Sequence, residues 1–117
     1  MKHIQIMNWC IFKYGITKSR PVPCVMYDPN LEDNGWYNFS KDTIFLRVGL
    51  STTELTKTVI HEYQHYLKHS VKAFETHYNL GRSYTDHPFE IEAEETALRD
   101  LNECLLNLNE KELEWEY

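Results

Sequence analysis

Apolar positions recur with helical spacing over two long stretches of this chain, and in its first half they gather into short runs bounded by proline and turn residues. The stretch "STTELTKTVIHEYQHYLKHS" opens with Ser51, followed three residues later by Glu54. That capping-box spacing predicts a helix from about Thr52 to Lys68. At about 100° per residue, Leu55, Val59, Ile60, Tyr63, Tyr66 and Leu67 share one stripe, while His61 and His65 lie together away from it. The pair therefore faces solvent or whatever element covers that side. The stretch "DHPFEIEAEETALRDLNECLLNLNE" predicts a second helix running to about Leu108, with Pro88 at the first helical position, where its missing N–H does no harm. Its apolar face, formed by Ala93, Ala97, Leu98, Leu101, Cys104, Leu105 and Leu108, is centred on Glu90 and includes Glu94. Glu92, Glu95, Arg99 and Glu103 lie opposite.

Upstream, residues 3–14 carry apolar positions compatible with a helix, with a strand reading open. Three β-prone runs follow: Val22 to Tyr27 between prolines and an Asp-Pro-Asn turn, the aromatic run after Asn34-Gly35, and Thr43 to Gly49. The expected class is α+β: a small, mostly antiparallel sheet followed by two helices. Residues 1–117 read as a single domain, with an acidic tail over about 109–117 that is most simply solvated. Leu113, Trp115 and Tyr117 give that tail an apolar side with which to reach the body or a cleft.

Composition narrows the function classes. With 42% hydrophobic residues and only four Gly and four Pro in 117, the chain is globular and can build a core without disulfides or metal. A net charge of −6, without clustered Lys and Arg, argues against a nucleic-acid surface. Cys10, Cys24 and Cys104 are odd in number and widely spaced, which fits reduced thiols better than a disulfide framework. Gln5, Asn8 and Lys13 interrupt the N-terminal run, so it lacks the core of a signal peptide, and no window approaches a membrane span. The expected address is cytoplasmic.

Within the first long helix, His61-Glu62-Tyr63-Gln64-His65 matches H-E-x-x-H. Two histidines four apart project from one face and can share one tetrahedral Zn²⁺, with the intervening glutamate beside the water to be activated. Shuffling this composition gives the pattern with about a 3% chance, so its placement on a capped helix, off the core stripe, adds weight. A hydrolytic zinc site needs a third protein ligand. Glu90 is the candidate, because a carboxylate in an apolar helix face is costly unless it is paired or holds a metal. Glu94, one turn on, is placed to accept the free ring N–H of a ligating histidine. The other reading open to both glutamates is pairing with Arg82, a lysine or a protonated histidine.

H-E-x-x-H followed, after a short segment, by a helix opening "PFEIEAE" resembles the gluzincin zinc metallopeptidases, in particular minimal single-domain forms and the related peptidases of phages and mobile elements. The resemblance covers roughly residues 40–108. It implies Glu90 as third ligand, a small residue at Ala93, an acidic supporting residue at Glu94, and a rim for the cleft from the strand before the motif, here Thr43 to Gly49. Glu94 departs from the Asp or Asn more usual there. Metzincins need Gly and His where this chain has Lys68 and Val71, and deformylases need an upstream cysteine setting that Cys10 and Cys24 lack. His69, a full turn past His65, would require a distorted helix to act as a ligand.

The expectation is a zinc metallopeptidase acting on peptides or proteins, with Glu62 as general base and Tyr84, His87 or His77 as a donor to the developing oxyanion. Two alternatives remain: a non-catalytic metal-containing binding module, and a zinc amidohydrolase acting on a small amide.

Overall fold

The computed structural model describes residues 2–68 and 87–115, with side chains as far as residue 109. In chain order these residues form α1 (Lys2–Tyr14), β1 (Cys24–Asp28), β2 (Gly35–Asn38), β3 (Thr43–Arg47), α2 (Thr52–Lys68) and α3 (Pro88–Trp115). His69, His77, Arg82 and Tyr84 lie outside the described residues.

The chain is α+β, as its pattern predicts, with a sheet of order β1-β3-β2. The sheet is mixed rather than mostly antiparallel: β2 pairs antiparallel with β3, and β1 pairs parallel with it. The geometry explains the difference. β1 and β2 run in opposite directions at the two edges, so a central strand antiparallel to one is parallel to the other. Turn residues report a reversal of the chain, not which strand fills the slot between its two arms. The β2–β3 turn is tied to β1 where Cys24 N–H donates to the carbonyl of Asp42, a residue at φ 46°.

The core gathers Ile6, Trp9 and Cys10 of α1, Tyr37, Ile44 and Leu46 of the sheet, Leu55, Val59, Ile60, Tyr63 and Tyr66 of α2, and Ala97, Cys104 and Leu108 of α3. The helix α2 packs against α1, α3 and the sheet together, so it buries far more than its apolar stripe: Thr56, Thr58, Glu62, Gln64 and His65 are buried too. Ser51 caps it as its spacing predicts, its Oγ accepting Glu54 N–H at 3.2 Å.

Two adjustments matter for the site. The helix α3 is turned from its predicted face: Thr96 and Asp100 are buried, whereas Leu98 is 57% exposed. Tyr14 donates its hydroxyl to Asp100 at 2.6 Å, which holds that carboxylate against α1. The helix also continues through 109–115, where the sequence suggested an acidic tail without a defined element. Second, β2 lies directly on α2. A Cβ on Gly35 would stand 2.6 Å from Thr58 Cγ2 and 2.9 Å from the carbonyl oxygen of Phe45. Because one of those neighbours is backbone, Gly35→Val is expected to destabilise the fold by about 1–3 kcal/mol, read from the urea midpoint. An unchanged midpoint would show that the strand can lift off the helix at little cost.

Candidate metal centre

Histidines four apart on α2 lie one above the other, and the opening turns of α3 cover them. Its start is fixed by His87, whose Nδ1 accepts Phe89 N–H at 3.2 Å and whose carbonyl accepts Ile91 N–H at 3.1 Å, with Pro88 as the first helical residue. This placement brings Glu90 between the two imidazoles. His61 Nε2 is 2.8 Å from one carboxylate oxygen of Glu90, and His65 Nε2 is 2.8 Å from the other. On the far side of the ring, His61 Nδ1 is 2.9 Å from Glu94, whose other oxygen is 3.1 Å from Lys57 Nζ. Pairing of both glutamates with histidine or lysine, left open by the sequence, is therefore present.

Charge follows geometry. Both nitrogens of His61 lie against carboxylate oxygens, an arrangement that favours the doubly protonated, charged ring. Burial opposes that charge, but the hydrogen bond to Glu90, the charges of Glu62 and Glu90 and the bond to Glu94 outweigh it and raise the pKa to about 9. Burial likewise disfavours charge on Glu90, yet His61 and His65 hold its carboxyl well below the usual range. Glu62 is the reverse case. It is 4% exposed, and burial pushes its carboxyl up despite the nearby charges of His65 and His61 and a hydrogen bond from the Tyr37 main chain.

The donor set fits a divalent transition ion. One ligand atom from each of His61, His65 and Glu90 lies within 4.8 Å of the other two, and two imidazoles with one carboxylate is a set that zinc takes. Bonds of ~2.0–2.1 Å in a tetrahedron separate donors by about 3.3 Å, so the 2.8 Å contacts need open only by about half an ångström. Such an ion would take the place of the protons now shared between ring and carboxylate.

A cleft of about 410 Å³ reaches this cluster, lined by Glu32, Asp33, Asn34 and Gly35, by Lys57, Thr58, His61 and Glu62 of α2, and by Glu90 and Glu94 of α3. The rim expected from Thr43 to Gly49 is not there, because β3 is the central strand; the rim is residues 32–35, which lead into the edge strand β2. The sequence offered no signal for this, since strand order is not written in periodicity. His87 is fully buried and caps α3 rather than lining the cleft.

Gln64, inside the motif, is 1% exposed, and neither its Oε1 nor its Nε2 has a hydrogen-bond partner among the described residues. A buried amide without partners carries its desolvation cost uncompensated. Gln64→Met, similar in size, is expected to raise unfolding stability by about 1–3 kcal/mol without altering metal uptake. A loss of stability in urea would show that the amide is satisfied after all.

A scan against protein-family models, a search of curated proteins and a search of solved structures each find no match to this chain.

Proposed function

We propose that this protein is a zinc-dependent metallopeptidase of gluzincin type that hydrolyses peptide bonds in peptide or protein substrates. The observation that carries the reading is the convergence of His61, His65 and Glu90 from two helices, with His61, Glu90 and the neighbouring Glu62 lining a cleft. Zinc held there would supply a Lewis acid and a water acidified to a pKa near ~7. The chain's residues supply the rest. Glu90 and the two Nε2 atoms would provide the ligands, and Glu94 would accept His61 Nδ1–H, fixing the tautomer that leaves Nε2 free to bind. Glu62, held by the Tyr37 main chain and raised by burial, is suited to accept a proton and return it to the leaving amine. Cys10, Cys24 and Cys104 are all unpaired, which supports a reducing, cytoplasmic setting, and no described helix is long and apolar enough to cross a membrane.

The burial of Glu62 favours a second reading, in which its carboxylate serves only to hold β2 on α2 and the cluster is a non-catalytic metal or ion-pair site. Casein hydrolysis separates the two. The expected result is cleavage that stops with a chelator and returns with zinc. Hydrolysis of small amides alone would point to an amidohydrolase, and no hydrolysis of either would leave the binding module.

A further inference from the structure

Among the described residues that line the cleft, Lys57 is the only lysine or arginine. It stands one helical turn before His61 on the same face of α2. Glu94 reaches across from α3 and lies between the two. One of its carboxylate oxygens is 3.1 Å from Lys57 Nζ and the other is 2.9 Å from His61 Nδ1. Each oxygen therefore has its own donor, and the orientation of the carboxylate is set from both ends.

A second pair supplies the comparison. Lys68 Nζ is 3.0 Å from Glu92, again from α2 to α3, and the side chains of the two pairs are about equally exposed, 38% and 41% against 43% and 47%. As ties between the helices the pairs are equivalent. Lys68 and Glu92 lie outside the cleft lining, however, whereas Lys57 and Glu94 belong to it and lead to a candidate ligand. A half-exposed glutamate loses rotamer freedom when it is ordered, and one exposed hydrogen bond returns little more than that loss. The contact with His61 alone would hold Glu94 loosely, and the contact with Lys57 is the second anchor. We propose that Lys57 is a positioning residue of the metal centre, holding Glu94 where it takes His61 Nδ1–H and so keeps His61 Nε2 aimed at the ion. The inference rests on the metal centre of the proposed peptidase and not on its hydrolytic step.

Positioning and simple electrostatics act with opposite signs. By Coulomb's law, removing a cation near a divalent ion tightens its binding, whereas loss of positioning weakens it. Zinc affinity is read on the full chain by competition with a chromophoric chelator. The pH is held at about 9.5, above the His61 value of about 9, so that a ring proton competes little with the metal. Wild type is compared with Lys57→Met, Lys57→Arg, Glu94→Ala, the Lys57→Met/Glu94→Ala double variant and Lys68→Met.

Glu94→Ala is expected to lower zinc affinity by about tenfold or more. With Glu94 present, Lys57→Met is expected to weaken binding about threefold relative to its effect in the Glu94→Ala background. Lys57→Arg keeps the charge and a donor and is expected to stay within about twofold of wild type, as is Lys68→Met, which breaks the comparable tie outside the cleft. Equal effects of Lys57→Met with and without Glu94, or a loss in Lys68→Met as large as that in Lys57→Met, would overturn the inference. Failure of wild type to cut casein, with this pattern of zinc affinities intact, would count against the peptidase reading alone. No zinc uptake by wild type would remove the centre and the inference with it.

Discussion

Glu62→Gln is expected to lower peptide hydrolysis by about 10²–10⁴-fold while one equivalent of zinc stays bound. The substitution is isosteric and lies outside the three-ligand set. Its amide oxygen still accepts the main-chain hydrogen bond from Tyr37, so β2 stays on α2. What is lost is the capacity to take a proton. Rate and zinc content measured on the same preparation separate the possibilities. Full turnover would remove Glu62 from the mechanism, and loss of zinc together with activity would make it a ligand or a structural group.

The second large effect is on pH. In the metal-free protein His61 is held protonated, with its pKa raised from 6.5 to about 9, and a metal needs the neutral imidazole. Zinc binding must therefore expel that proton at any pH below about 9, and affinity is expected to rise about tenfold per pH unit from pH 7 up to there, then flatten. Competition titration with a chromophoric chelator reads this directly, and a flat profile between pH 7 and 9 would show that His61 is already neutral. The same pair sets stability without metal. A raised histidine pKa stabilises the fold fully below its unfolded value and is lost as pH climbs through about 9. The depressed carboxyl of Glu90 contributes above its unfolded value of 4.5 and is lost as the solution is acidified. Metal-free protein is therefore expected to be most stable between those limits, and saturating zinc should remove the alkaline loss.

Much of the site was legible because helices carry their own ruler. Ser51 and Glu54 marked the start of α2, Pro88 that of α3, and the four-residue spacing of His61 and His65 made them neighbours whatever else the chain did. Glu90 stood out as a charge in an apolar stripe, and it is buried between those histidines. What escaped notice depends on contacts between elements. The burial of Asp100 on α3 goes with a hydrogen bond from Tyr14, far away in sequence. The central position of β3 and the rim at residues 32–35 depend on which strand fills the sheet's middle slot. His87 looked like chemistry because histidines often are, yet its ring caps a helix.

Zinc content of the purified chain by elemental analysis, wild type beside Glu90→Ala, tests the central claim most directly. One equivalent in wild type and a marked loss in the variant are expected, because Glu90 supplies the third donor and the alanine leaves two imidazoles without it. Equal zinc in both would contradict it by removing Glu90 from the ligand set, and none in wild type after dialysis against zinc would leave His61, His65 and Glu90 as a buried ion-pair cluster that joins α2 to α3.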